Sequence, residues 1–414
     1  MTGFLDLLRT GAFATRARIV LWSSALLIGF AAAFVFFAVT AHGISDYHGR
    51  PLGSDFSAFY VAGKYVNEGK ATAAFDPVLQ HAKEQQIFGR ATPFYGWHNP
   101  PFFYLVAAPL AHLPYIPALL VWQLAGLSLY LLALAKLLRA GPAPSVAKDP
   151  LWILLAVAFP AVFVNLIHGQ NGILTAALLA GGIALLDARP FISGIAFGLL
   201  VYKPQFGLMI PLVLAATARW RTFGAAALTV AVLAVITTSL FGVEEWRAFL
   251  DSTQFTRTVV LEQGAAGFYK MQSAFAWARM WGSPAALAYV FQALVSAGTA
   301  LFLVLVWRAR ATAAEKGAAL CLAALLATPY CYDYDLTALA PAIALLGAQG
   351  FVRGFRPYEK TLLAILWVAP FLARVVAGAT FVPLGVIVML AAAVFVAAHA
   401  LEARRDPLPA RVAV

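Results

Sequence analysis

Apolar runs close to 20 residues long recur from Ile19 to Leu401. A helix crossing a hydrocarbon core of roughly 30 Å needs about that many residues. Only 11% of the 414 residues are charged, while 62% are hydrophobic. A soluble domain carries about 25% charged residues, so this chain lacks the polar surface to cover a soluble globule. No ten-residue alternating pattern suggests a β-barrel. The sequence therefore predicts an all-α polytopic membrane protein, read as one integral domain over 1–414. Cys321 and Cys331 lie in or beside one apolar run, and neither a zinc site nor a disulfide framework follows from them. The first run, Ile19 to Ala41, is too long for a signal-peptide core and lacks a convincing cleavage site. It reads as a retained span.

Charges mark the span ends. Basic clusters stand at Arg9/Arg16/Arg18, Lys136/Arg139/Lys148, Arg189, Arg219/Arg221, Arg308/Arg310/Lys316, Arg353/Arg356/Lys360 and Arg404/Arg405/Arg411. Placing these inside puts 18 Lys/Arg and 7 Asp/Glu there, a net of +11, and leaves 11 of each sign elsewhere. The whole formal charge then falls on one side, as the positive-inside rule requires. The basic excess is spread over short loops and forms no stripe, so nucleic acid is not an expected partner. Both termini are then cytoplasmic. The expected spans lie near 19–41, 101–139, 150–166, 170–187, 190–203, 205–217, 221–241, 285–307, 315–331, 335–350, 360–376 and 380–401, about 12 in all. The stretch 101–139 is one long or broken element, interrupted by Pro109, Pro114 and Pro117. The pair 190–203 and 205–217 is short on both arms and meets at Lys203-Pro204, which suggests a hairpin with its tip below the outer surface. Irregular backbone at that depth needs a polar cavity. No internal repeat is evident, which weighs against an inverted-repeat transporter.

Two long outer loops follow from this topology, 42–99 and 242–283. The chain's unusual polar residues sit in these loops or at outer span ends: Asp55, His98-Asn99, His168-Gly169-Gln170-Asn171, Lys203, Gln205, Tyr269-Lys270, Gln272, and Tyr330 through Asp335. Each has a plainer reading. Asp55 could cap a helix, 168–171 could be a simple turn, Lys203 could snorkel to the interface, and Asp333 and Asp335 could just end a span. The tyrosines around them could be an interfacial belt. Their agreement on one face points instead to a shared outer cavity. If 55–69 is helical, Asp55, Phe59 and Ala62 share one face and Lys64 and Glu68 another. That pattern reads as an amphipathic helix lying on the membrane surface, with Asp55 in the first turn, where the helix dipole favours its ionised form. Aromatic residues from Phe94 to Tyr104 bracket His98-Asn99-Pro100-Pro101. Such faces suit isoprenoid chains and sugar rings, or anchor the chain at the interface.

Five short motifs then occur in a telling order: Ser-Asp-Phe-x3-Tyr-x-Ala-Gly at 54–63, Asn-Pro-Pro at 99–101, Gly-Gln-Asn at 169–171, Gly-x3-Gly-x4-Lys-Pro-Gln at 194–205 and Arg-Trp-Arg at 219–221. Together they resemble glycosyltransferase family 87. The resemblance covers about 50–221 well and the later half loosely. It implies a GT-C-type fold with about 12 transmembrane helices and amphipathic helices in the outer loops. It implies transfer of a sugar, most often mannose and in some members arabinofuranose, from a polyprenyl-phosphate donor to a lipid or glycan acceptor. Inversion at the sugar carbon and independence of metals and other cofactors are also implied. The location would be a bacterial cytoplasmic membrane, with the active site facing the periplasm or outside and the chain a monomer among membrane lipids. The family's presumed general base maps onto Asp55.

The chemistry agrees with that mapping. A polyprenyl phosphate leaves as an anion without strong acid help, so one carboxylate taking the acceptor's hydroxyl proton suffices. The departing phosphate needs cations or hydrogen-bond donors. Lys203, His168 and His98 are the candidates, with Gln170, Asn171 and Asn99 as neutral partners. Tyr60, Trp97, Tyr269, Lys270, Gln272, Tyr330, Asp333 and Asp335 are expected to touch donor or acceptor. A second carboxylate acting as nucleophile would imply retention, which Asp333 and Asp335 keep open. Asp333-Tyr334-Asp335 also matches Asp-x-Asp in form, but it comes late in a tyrosine-rich turn, and no metal site is expected. Two other classes compete. A flippase or transporter predicts polar residues through the midplane. A non-catalytic assembly subunit predicts that Asp55 is dispensable.

Overall fold

The computed structural model describes residues 2–402, and its regular elements are helical apart from three isolated bridges. Arg404, Arg405 and Arg411 lie outside the described residues. Helix α1 (Thr2–Thr10) precedes α2 (Arg16–Val39), which starts where Thr15 caps the Arg18 amide. The first long loop holds α3 (Phe56–Asn67), a 3-10 turn (Ala71–Phe75) and α4 (Pro77–Phe88). The long apolar stretch after it is broken, into α5 (Tyr104–Leu110) and α6 (Tyr115–Ala140), with Pro114 at the N-cap of the second piece. Helices α7 (Leu151–Val157) and α8 (Pro160–His168) bend by 46° at their junction. Pro160 has no N–H to continue the ladder there.

Helix α9 (Gly172–Leu185) leads to α10 (Pro190–Gly198), a 3-10 turn (Leu199–Tyr202), α11 (Pro204–Gly207) and α12 (Met209–Ala216). The break does fall at Lys203. The two arms share only part of their surroundings: α10 packs closely on α13 (Trp220–Phe241) and on α9, whereas α12 touches α13 less extensively and packs on α16 (Ala285–Arg308) and α17 (Ala313–Leu326). Gly194 and Gly198 set the first contact, since a methyl on either would meet the α13 backbone at 2.5–2.7 Å. Between α13 and α16 the second long loop carries α14 (Glu244–Phe255), a π-turn (Thr256–Glu262) and α15 (Ala274–Met280). A 3-10 turn (Asp333–Ala338) then opens α18 (Leu339–Arg353), followed by α19 (Glu359–Thr380) and α20 (Leu384–Glu402). Helix α17 is buried along nearly its whole length and forms the centre of the main core.

Among the described residues six helices are long and apolar enough to cross a membrane, seven if α7 and α8 form one bent span. This is the character of a polytopic membrane protein. Other expected spans appear as shorter helices, among them α9 with 14 residues. At 1.5 Å per residue such a helix reaches only about 21 Å.

One expectation is overturned. Helix α3 does not lie on a surface, because nine of its 12 residues are buried. It packs against α5, α4 and the 3-10 turn Ala71–Phe75 that precedes α4, and its small and aromatic side chains build a second core with Tyr104, Tyr115 and Trp122. The charges at Lys64 and Glu68 occupy only its last turn and C-cap.

The charge topology has a structural counterpart. Segments assigned to the basic side touch one another: Arg16 pairs with Asp149, Arg219 with Asp187 at 2.6 Å, and the Tyr358 amide donates to Arg9 O at 2.7 Å. The two long loops likewise meet each other, through Phe75 against Phe249 and Phe94 against Phe255 with ring centroids 5.8 Å apart.

Candidate active site

The two long loops and several helix ends enclose a cavity of about 1030 Å³. Asp55 stands in its wall at the N-cap position of α3 but makes no side-chain cap bond. Its backbone N–H donates to His168 O at 2.9 Å instead. One carboxylate oxygen accepts from Ser54 Oγ at 3.1 Å and the other from Gln170 Nε2 at 2.9 Å. Gln170 reaches it because α8 ends in Gly169, whose left-handed φ of 63° reverses the chain. Such a C-terminal position favours glycine. Trp122 Nε1 donates to the Gly169 carbonyl at 3.0 Å and holds that turn.

His168 links Asp55 to a cation. Its Nδ1 lies 2.8 Å from Ser54 Oγ, and its Nε2 lies 3.4 Å from an Arg374 guanidinium nitrogen. A guanidinium only donates, so Nε2 accepts and Nδ1 carries the proton. Ser54 Oγ then accepts from His168 and turns its own O–H to Asp55. Arg374 also donates from Nε to Asp333 Oδ2 at 2.6 Å.

Lys203 is buried and donates to Asp335 Oδ1 at 2.7 Å. Its ammonium also sits 5.1 Å from the Tyr334 ring centre. The other oxygen of Asp335 accepts the Tyr332 amide at 3.0 Å. Asp333 and Asp335 are thus each engaged by a different cation. Tyr332 and Tyr334 stack with centroids 5.4 Å apart.

On the opposite wall, Glu84 fixes the 94–99 loop. Its buried carboxylate accepts the Tyr95 and Gly96 amides, both at 3.1 Å. Burial raises its pKa above the ordinary carboxylate range, and those amide bonds oppose the rise. His98 Nδ1 meets Thr256 Oγ1 of the second loop at 2.9 Å. Burial pushes His98 down to about 4, so it is neutral at neutral pH. It is a hydrogen-bonding group there, not a cation.

Asp55, His98, Asn99, His168, Gln170, Lys203, Lys270, Tyr330, Asp333 and Asp335 all line this cavity. Five expected contacts do not. Asn171 is buried behind the wall, donating to Asn99 Oδ1 at 3.4 Å. Tyr60 points its hydroxyl at Leu113 O, 2.9 Å away in the aromatic core. Trp97 is buried in a stack on Tyr104. Gln272 is fully buried and accepts the Gly385 amide at 2.9 Å. Tyr269 is exposed outside the cavity. These residues neighbour the right ones in sequence, but helical and turn geometry sends their side chains elsewhere.

Sequence reasoning missed Arg374, Ser54 and the basic rim formed by Arg50 and Arg257. Arg374 carried a usable signal, since an arginine inside an apolar helix is a functional candidate by default. The remaining walls are apolar, with Phe34 and Phe37 from α2 and Leu119 and Leu120 from α6.

The sequence model of glycosyltransferase family 87 matches residues 97–329, more than half of the chain. The chain belongs to glycosyltransferase family 87. It is therefore a glycosyltransferase with membrane character. No curated protein and no solved structure matches it. The matched segment of this family 87 protein contains His98, His168, Gln170 and Lys203. Asp55, Asp333, Asp335 and Arg374 lie outside it, and the fold brings both sets to one cavity.

Proposed function

We propose that this family 87 protein transfers a sugar, mannose in the first instance, from a polyprenyl-phosphate donor to a lipid or glycan acceptor with inversion, Asp55 acting as general base. One observation carries the reading: a carboxylate free of its own helix cap faces a large cavity, with hydrogen-bond donors on both oxygens and Arg374 three hydrogen bonds away through Ser54 and His168. In the reaction the acceptor oxygen forms the new bond to the sugar's anomeric carbon as its proton passes to Asp55. The bond from that carbon to the phosphate oxygen breaks, and the polyprenyl phosphate departs with the electron pair. Arg374, joined to Asp55 through His168 and Ser54, and Lys203 are cations in the cavity wall. Each has N–H groups beyond those held by Asp333 and Asp335, and these would receive the phosphate. Lys270 supplies positive charge at the rim. The apolar walls from α2 and α6 suit an isoprenoid chain arriving from the bilayer. The carboxylates of Asp333 and Asp335, each engaged by a cation, are in this reading holders of Arg374 and Lys203 rather than nucleophiles. The cavity-facing end is the outer one, reached from the periplasm.

The test is to incubate the purified protein with a panel of polyprenyl-phosphate sugars and an extract of membrane lipids. Free polyprenyl phosphate and a new glycolipid are the readouts. Release with the mannosyl donor is expected, and an α-linked product from a β-linked donor. No turnover with any polyprenyl-phosphate sugar would overturn the donor class.

A further inference from the structure

The motif Arg219-Trp220-Arg221 takes no part in the cavity just described. It stands at the other end of α9 and α10, about 20 Å from the Asn171 end by helix rise. There α10 and α13 are packed closely, and beside their crossing runs an open groove of about 440 Å³. Arg189 and Arg221 stand at the groove, and Phe191, Ile192, Trp220 and Leu228 form its apolar floor and rim. These four apolar side chains are all exposed, Trp220 by 60%.

The two arginines have charge to spare. Asp187 is the acid nearest in sequence, and it is taken by Arg219 at 2.6 Å. Arg219 also lies over the Trp307 ring, 5.7 Å from its centre. The middle of this basic cluster is therefore structural. Among the described residues no acid pairs with Arg189 or Arg221. Two uncompensated guanidiniums thus stand where an apolar span begins, above an apolar groove that follows the helices inward. Arginine forks match phosphate oxygens in geometry as well as in charge. Basic pockets between transmembrane helices on the basic side hold anionic lipid headgroups.

We propose that this groove is a binding site for one anionic phospholipid, its phosphate held between Arg189 and Arg221 and an acyl chain lying along Phe191, Ile192 and Leu228. A zwitterionic lipid also has a phosphate, but its trimethylammonium group would sit against two like charges, so the site discriminates by net headgroup charge. The close packing of α10 on α13 places this lipid against the helix whose far end delivers Lys203 to the cavity.

The test uses the full chain, delipidated in detergent and titrated with phosphatidylglycerol or phosphatidylcholine, with bound lipid counted by native mass spectrometry. One phosphatidylglycerol is expected to bind roughly thirtyfold more tightly than phosphatidylcholine, the size set by two arginines at a membrane surface. Arg189→Ala/Arg221→Ala should abolish that preference, and Arg189→Lys/Arg221→Lys should keep most of it. Arg308→Ala/Arg310→Ala removes the same charge nearby and should leave the preference intact. Equal binding of both lipids to the wild type would overturn the proposal. So would an equal loss in the Arg308/Arg310 pair, which would mean diffuse surface attraction. Displacement of the bound lipid by polyprenyl phosphate but not by excess phosphatidylglycerol would overturn it in favour of a carrier-lipid site. Should the double alanine variant fail to fold, Arg221→Gln at its exposed position carries the test. A roughly fivefold loss is expected there, and no loss would overturn the proposal.

Discussion

Asp55 is held like a base awaiting a proton. Its oxygens accept from Ser54 and Gln170, and it does not spend itself on its own helix. Asp55→Asn keeps the shape and nearly all the packing but cannot take the proton. Transfer should fall by about 10²–10⁴-fold, with unfolding temperature and donor binding near those of the wild type. Polyprenyl-phosphate release measures the first, and a wild-type rate would remove Asp55 from the role. Arg374→Ala should lower kcat by about 10²-fold, the scale for removing one donor to a developing anion. Because that change leaves Asp333 without its cation, Arg374→Ala/Asp333→Asn separates the two effects: activity restored in the double variant would make Arg374 a mere counter-ion. Asp55, His168 and Lys203 were legible in the sequence because each is a polar residue at an apolar boundary. Their partners were not. The pairs Lys203–Asp335 and Arg374–Asp333 join positions 132 and 41 residues apart, and single-chain spacing carries no information about contacts of that kind.

At the scale of elements, the limits of many helices were readable from apolar runs and prolines, but six or seven of the described helices, not about 12, are long and apolar enough to cross a membrane, and the setting of α3 was not readable at all. Periodicity placed Lys64 and Glu68 on one face, but it could not show that α4 and α5 cover the rest. The loops are where stability should be pH-sensitive. Glu245 of α14 is buried against the 71–75 turn, near Tyr104 and the Thr72 amide, and burial raises it to about 7. A carboxyl raised in the folded state favours folding fully below its unfolded value of about 4.5, and that contribution is lost as pH rises through about 7. Hydrogen exchange across 71–75 and 244–255 should therefore speed up between pH 5 and 8 beyond the intrinsic chemical rate. Glu245→Gln, which stays neutral, should flatten that excess, and an unchanged excess in the variant would assign it to another group. Glu84→Ala makes a related point on the other wall. It strands the buried Gly96 amide and the half-buried Tyr95 amide, a buried one costing about 1–3 kcal/mol when unsatisfied, so the 94–99 loop should loosen and the unfolding temperature fall.

The whole molecule is two-sided. Charge counting sorted the loops into two sets, and the contacts in the fold respect that sorting. Arg16, Asp149, Arg219 and Asp187 meet within one set, and Asp55, His168, His98 and Thr256 within the other. A flippase would need polar lining at both ends of its path, but the large cavity here gathers its charged side chains, apart from Arg374 within α19, among loops and helix ends of the second set. The orientation proposed above, which follows the positive-inside rule, has that set outside. Both native cysteines are buried and free, so an introduced thiol reports its own position. Asn67, at the exposed end of α3, and Arg310, in the exposed turn after α16, belong to opposite sets. Asn67→Cys should react with a membrane-impermeant maleimide in intact cells stripped of their outer layers. Arg310→Cys should react only after the membrane is opened. The reverse pattern would turn the molecule over and place the cavity on the cytoplasmic side, where a donor would have to be drawn from the inner leaflet.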